Sequence, residues 1–290
     1  MKRLCLCALA VGLTMTACEK PQLAEKESGN VTLSFIPTTA DIPVADSQTR
    51  ATVTIGDYFT KLNVMLFNAD GEKVFDKVRT QTIDDTDFGN LNMSLAAGTY
   101  TVVAVGHSSI KSATIKSPQM VQFTATDGEK LTDTFCHCGQ VTVSESGGRH
   151  ELVMNRVCAM LRFRFTDTDI PSSFARLKID YTGGSANFNP TTGEGCTKST
   201  QSESRLPAAE YQVFTFPYLA TDGVLKVTVS ALTADDAVIR QRTFTNIPVT
   251  RNRITTYTGK FFEDGDGNIV QTGFGISVNP EWDGENEYEF

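Results

Sequence analysis

The sequence predicts an all-β protein, two β-sandwiches in tandem after an export signal and a short polar tether. Three observations lead there. Almost every apolar run is short and alternates with period two, as strands with one buried face do. No long stretch carries the 3.6-residue period of an amphipathic helix. Turn-forming residues recur between the runs, which is how sandwiches read in sequence.

Taken in order, residues 1–17 read as a signal peptide. Lys2 and Arg3 supply its positive start, and Leu4 to Leu13 is an apolar stretch of the right length, too short to span a bilayer as a mature helix. Met15-Thr16-Ala17-Cys18 then sets small residues before a cysteine, which is similar to the lipobox of bacterial lipoproteins. The resemblance implies cleavage before Cys18 and diacylation of its thiol. The alternative is an ordinary secretory signal cut near Ala17. Residues 18–30 are polar and aperiodic, a flexible tether.

The folded body starts at Val31. Val31, Leu33 and Phe35 alternate on one face of a first strand. Leu62, Val64 and Leu66 alternate with Asn63, Met65 and Phe67, and Asn68-Ala69-Asp70-Gly71 supplies a turn with glycine at a left-handed position. Leu91, Met93 and Leu95 lead through Ala96-Ala97-Gly98 into Tyr100, Val102 and Ala104, a hairpin. Val157, Ala159, Leu161, Phe163 and Phe165 share one face, and Cys158, Met160, Arg162 and Arg164 share the other, which predicts a half-buried strand. Further strands are expected at 177–181, 211–216, 225–231, 238–244, 255–262 and 274–278. The Ser144-Glu145-Ser146-Gly147-Gly148 stretch is the expected seam, giving domains at 31–146 and 147–290.

Charge and cysteine content narrow the function. Without Lys2 and Arg3 the 26 basic residues fall to 24 against 34 acidic, a net charge of −10. An acidic chain with no basic run argues against nucleic acid. With Cys5 and Cys7 in the signal and Cys18 lipidated, Cys136, Cys138, Cys158 and Cys196 remain, free or paired in three possible ways.

Chemistry-bearing motifs are sparse, and no enzyme is expected. Cys136-His137-Cys138 on a strand puts the thiols on one face and the imidazole on the other, unsuited to wrapping one zinc. His107, His137 and His150 sit in separate segments without a serine elbow, and His107 at a strand end is expected to be solvated. Asp264, Asp266 and Asn268 begin like a calcium loop, but Ile269 and Gly275 stand where its glycine and glutamate belong, so the segment reads as a turn. Asp84-Asp85 and Asp235-Asp236 are adjacent loop acids, without the spacing of a glycosidase pair. No cofactor motif occurs.

Several segments in order resemble the fimbrillin family, the subunits and anchors of type V fimbriae in Gram-negative anaerobes. They are Leu62 to Gly71 followed by Leu95-Ala96-Ala97-Gly98-Thr99-Tyr100, then Tyr181-Thr182-Gly183-Gly184-Ser185 running to Gly193, then Asn246-Ile247-Pro248-Val249-Thr250-Arg251-Asn252-Arg253-Ile254-Thr255 leading to Phe262. The resemblance implies two transthyretin-like Greek-key sandwiches. It also implies an outer-membrane lipoprotein whose partners are other fimbrial subunits, with no cofactor and a role in cell adhesion. Stalk subunits of that family are cut after an arginine. The cut removes an N-terminal strand, and a neighbour's strand fills the groove, whereas anchors keep their lipid. Here Val31, Leu33 and Phe35 make the plug strand, and Gln48-Thr49-Arg50-Ala51 matches the place of the cut. The alternative is a surface glycan-binding lipoprotein of a polysaccharide uptake system, its aromatic platform drawn from Trp282, Tyr211, Tyr218, Tyr257 and Tyr288.

Overall fold

A computed structural model describes residues 28–38, 54–124, 131–263, 276–277 and 285–289, and shows an all-β architecture. The first half runs β1 (Ser28–Pro37), β2 (Lys61–Phe67), β3 (Arg79–Thr82), β4 (Asn90–Ala96), β5 (Gly98–His107), β6 (Thr114–Ser117), β7 (Met120–Gln122), β8 (Phe135–Val143) and β9 (Gly148–Arg156). The second runs β10 (Ala159–Phe165), β11 (Arg176–Thr182), β12 (Asn187–Asn189), β13 (Glu194–Gly195), β14 (Thr200–Arg205), β15 (Glu210–Thr215) and β16 (Val224–Leu232). It continues with β17 (Val238–Pro248), β18 (Ile254–Gly259), β19 (Ile276–Ser277) and β20 (Glu285–Glu289). Among the described residues the only helices are single 3-10 turns at Ile55–Asp57 and Leu219–Thr221.

Hydrogen bonding links the first half as β3-β2-β5-β8-β9-β1-β4. β8 and β9 share only the pairs Phe135↔Arg156 and Cys136↔Asn155 before they part. The ladder therefore splits into two layers, β4-β1-β9 and β3-β2-β5-β8. Between them lies a core of Val31, Leu33, Phe35, Leu62, Val64, Leu66, Val102, Phe135, Leu152 and Met154. The predicted turn at 68–71 forms, with Gly71 at φ +80° and Asn68 Oδ1 accepting from the Asp70 and Glu72 amides.

The second half repeats this plan. β15-β10-β18 is one layer, extended by β20 and β19, and β14-β11-β16-β17 is the other. Seven first-half strands have a counterpart: β1 with β10, β2 with β11, β3 with β14, β4 with β15, β5 with β16, β8 with β17 and β9 with β18. Even the orientations match, since β1 runs antiparallel to β4 and parallel to β9, and β10 runs antiparallel to β15 and parallel to β18. The tandem duplication is thus visible in pairing order. The second core holds Leu161, Phe163, Leu177, Ile179, Tyr181, Val227, Val229, Phe244 and Tyr257.

A third core lies between the halves and changes two expectations. Met65, Phe67, Val103 and Val105, on the outer face of β2 and β5, pack with Val157, Cys158, Met160, Phe188, Phe216 and Ile254. β2 is consequently buried on both faces from Leu62 to Phe67, not on one. β10 likewise turns Leu161 and Phe163 to the second core and Met160 to the third, where Cys158 just before it also packs. A small sheet, β13-β12-β7-β6, adds hydrogen bonds across the halves through Asn187↔Gln122 and Phe188↔Val121. The stretch expected as the seam near residue 146 is the turn between β8 and β9, and β9 hydrogen-bonds within the first half. Pairing partners change after Arg156 because β9 is the closing strand of the first layer, as β18 is of the second. β1 begins at Ser28, so its first turn's worth of chain comes from residues read as tether.

Candidate functional site

The feature most tied to the predicted function is β1. It lies inside its layer, with seven residue pairs to β4, from Ser28↔Ala96 to Ser34↔Asn90, and seven to β9, from Val31↔Gly148 to Pro37↔Met154. Val31, Leu33 and Phe35 point into the first core and are at most 4% exposed. Burying three such side chains stabilises the fold by roughly 1.5–3 kcal/mol each. The opposite face is polar: Thr32 Oγ1 donates to Asn92 Oδ1 at 2.7 Å and Ser34 Oγ to Asn90 Oδ1 at 2.8 Å. One face buried and one hydrogen-bonded fixes the register, because a one-residue slip would exchange them.

Both ends of β1 are fastened. At the start, Gly29 meets the β8–β9 turn so closely that a Cβ there would lie 2.3 Å from the Gly147 nitrogen. A Cβ on Gly147, itself at φ +73°, would lie 1.9 Å from the Asn30 carbonyl oxygen. Two glycines permit backbone contact that no other residue allows. At the far end, Thr38 gives its amide (2.8 Å) and its hydroxyl (2.7 Å) to the Met154 carbonyl. Sequence reading found the apolar triplet and missed the glycine pair. The signal was there, an isolated glycine within an alternating strand and a Gly-Gly turn. Cys18, Arg50 and Ala51 lie outside the described residues, as do the Asp264–Asn268 turn and Trp282.

The remaining chemistry-bearing residues lie apart from β1. Cys136, Cys138, Cys158 and Cys196 are all free thiols. Desolvation holds the Cys136 and Cys158 thiols well above their ordinary pKa, so they stay protonated. No group of three or more His, Cys, Asp or Glu side chains able to hold a metal occurs among the described residues. Cys136 and Cys138 do face the third core together, while His137 donates from Nδ1 to the Val153 carbonyl at 2.8 Å.

His107 is the clearest correction. It is fully buried, not solvated. Its Nδ1 accepts from the Ser109 amide at 3.1 Å, which leaves Nε2 to donate to Asn63 Oδ1 at 2.8 Å. Asn63 also accepts from the Ala113 amide and donates to Thr80. Burial, aided by the Lys61 charge, pushes the imidazole pKa down to about 3. The residue is a neutral pin for the loop after β5, with no free nitrogen for catalysis.

The glycan-platform residues fare no better. Tyr211, Tyr257 and Tyr288 are buried in the second core, where Tyr257 stacks on Tyr288 with centroids 4.9 Å apart. An open cavity of about 450 Å³ has Leu131, Thr132, Arg205, Glu210, Phe214 and an edge of Tyr211 among its lining residues. Its one carboxylate, Glu210, is held by Arg162 at 3.1 Å and Arg164 at 3.0 Å. The three side chains form an ion cluster.

Comparison with solved structures shows the same fold. A DUF1812 protein from Bacteroides thetaiotaomicron, for which polysaccharide binding has been proposed, aligns with TM-score 0.51 over 90% of this chain and 90% of its own, at 11% identity. Other similar structures are a fimbrial assembly protein from Parabacteroides distasonis (TM-score 0.42, 12% identity, 80% and 91% covered) and the fimbrial anchor protein Mfa2 from Porphyromonas gingivalis (0.41, 13%, 74% and 82%). No curated protein matches the chain in sequence. Residues 23–290 match DUF6562, described as a family of unknown function, and the chain belongs to that family.

Proposed function

We propose that this protein is a cell-surface fimbrial subunit, or the membrane-anchor subunit of such a fibre, assembling by donor-strand addition and supporting adhesion. It would be held at the outer membrane by lipid on Cys18. The observation that carries the reading is β1. It is the first strand among the described residues, it fills a slot between β4 and β9, and its hold is non-covalent on both sides. A strand so placed is what a neighbour's strand would replace, with backbone bonds supplying affinity and the pockets of Val31, Leu33 and Phe35 supplying register. The segment that follows β1 contains Arg50-Ala51, where a cut would release it.

N-terminal sequencing and mass analysis of surface-extracted protein test the proposal. A start at Ala51 in assembled fibres assigns a stalk subunit. A lipidated Cys18 with β1 retained, at the fibre base, assigns an anchor. Absence of the protein from any fibre overturns both. The glycan-binding alternative loses three of its five aromatic residues to the second core. Retention on a glycan array would be needed to revive it.

A further inference from the structure

The cavity of about 450 Å³ is shared by the two halves of the molecule. Ser108 and Leu131 come to it from the first half, and Arg205, Tyr211, Gln212 and Phe214 from the second. Its size lies within the ordinary range of small-ligand pockets, about 300–1,000 Å³. Its apolar lining belongs to the third core, where Leu131 is 1% exposed and Phe214 packs half-buried. A fixed polar network stands behind the wall. Arg205 is ion-paired with Glu203, which is 2% exposed and accepts from the Tyr181 hydroxyl at 2.7 Å.

Two properties of the lining select a ligand. The first is charge. Arg205 offsets Glu203, and Arg162 and Arg164 hold Glu210 at 3.1 and 3.0 Å, with Arg164 also 3.5 Å from Glu287. Three guanidinium groups thus face three carboxylates, and neither an anion nor a cation finds an excess of the opposite charge. The second is a set of open hydrogen-bonding positions. Tyr211 is 3% exposed; its hydroxyl oxygen accepts from the Ala208 amide at 2.7 Å, and among the described residues its proton has no acceptor. A buried tyrosine hydroxyl ordinarily finds its full set of partners. Ser108 Oγ accepts from the Thr60 amide at 3.1 Å and likewise keeps its proton uncommitted among the described residues. Gln212 gives its Nε2 to Glu210 at 2.8 Å, which leaves its side-chain oxygen as an acceptor.

We infer that this cavity binds an uncharged sugar at the end of a glycan chain. A sugar hydroxyl both donates and accepts, so one ligand serves the Tyr211 and Ser108 protons and the Gln212 oxygen together. The C–H face of its ring suits the side formed by Phe214 and Leu131. An apolar ligand would leave the three polar groups unpaired, at a cost in binding. An extended peptide calls for a row of backbone partners, whereas these groups are side chains from β15 and from the chain after β5. The site differs from the exposed aromatic platform expected from the sequence, since of those five residues only Tyr211 takes part, through its hydroxyl. The inference rests on the proposed surface location and gives the adhesion a ligand class. It requires neither strand exchange nor cleavage at Arg50.

Saturation-transfer NMR on the full chain tests it. The probes are the methyl glycosides of glucose, galactose, mannose and N-acetylglucosamine, with methyl glucuronide and acetyl-trialanine amide as charged and peptide comparisons. At least one neutral glycoside is expected to receive saturation, most strongly at its ring C–H protons, and to bind more tightly than either comparison. Gln212→Ala and Ser108→Ala are each expected to weaken that binding about two- to tenfold, the worth of one hydrogen bond. Two variants on different elements keep a folding defect in one from deciding the result. No transfer to any neutral glycoside, preference for either comparison, or binding unchanged in both variants would overturn the inference. Each of those outcomes would leave the N-terminal sequencing of fibres, and the assembly reading, untouched. Absence of the protein from fibres would in turn leave the sugar titration as it stands.

Discussion

Burial of His107 makes the molecule sensitive to acid through a single side chain. Its folded pKa of about 3 lies below the ordinary 6.5 because the ring is desolvated and faces Lys61. Between these values the unfolded chain binds a proton that the folded chain refuses, so stability falls as pH drops from about 6.5 towards 3. The expected slope from this residue is at most about 1.4 kcal/mol per pH unit. Urea unfolding between pH 7 and 4 should show it, and His107→Gln should flatten it while lowering stability at pH 7. None of this was legible in the sequence. His107 follows a glycine at a strand end, which looks solvated, and the partner that buries it, Asn63, is 44 residues away. Arg156 is a second residue of this kind. It binds both oxygens of Asp133 (2.7 and 2.9 Å), reaches Asn252 in the other half at 3.1 Å, and lies 4.6 Å from the Phe135 ring. Arg156→Ala would leave the Asp133 charge without its partner and is expected to cost about 3–5 kcal/mol, read by chemical denaturation.

At the scale of the element, β1 should respond in proportion to which face is changed. Leu33→Ala removes a fully buried side chain from the first core and is expected to destabilise by about 2–5 kcal/mol. Thr32→Ala on the polar face should stay within about 0.5–1.5 kcal/mol, the worth of one hydrogen bond. Gly147→Ala should be as harmful as the core change, since it combines φ +73° with an overlap on Asn30. Urea midpoints of the three variants check the ranking. The alternation of Val31, Leu33 and Phe35 gave this strand's faces correctly. It misled at β2, where Met65 and Phe67 join the third core with Met160, Phe188 and Phe216, and Asn63 is buried against His107 and Ala113. Alternation reports one sheet's faces only when one of them meets water. The sheet β13-β12-β7-β6 was missed because its strands are two to four residues long, below what periodicity can register.

For the whole molecule, three stacked cores imply one cooperative unit. The middle core takes Val103 and Val105 from the first half and Phe188 and Phe216 from the second, so neither half can unfold without exposing the other. Calorimetry is expected to show one transition, and Phe216→Ala to lower it as a single peak, with a loss of about 3–5 kcal/mol. Two separated transitions would contradict this. The two-sandwich plan was legible from turn spacing, but its duplication was not. Pairing order is shared between the halves, whereas the residues that realise it are not: the inward residues of β1 are Val31, Leu33 and Phe35, and those of β10 are Ala159, Leu161 and Phe163.

The placement of β1 also has a mechanical side. Its Ser28 end faces the N-terminal segment, and its pairs with β4 and β9 run along its length on both flanks. A pull transmitted through that segment acts along the strand axis. It loads both rows of hydrogen bonds in shear, all at once, instead of opening them one by one like a zipper. Should the chain be held at a membrane by its N-terminus, drag on the cell surface would meet its stiffest direction.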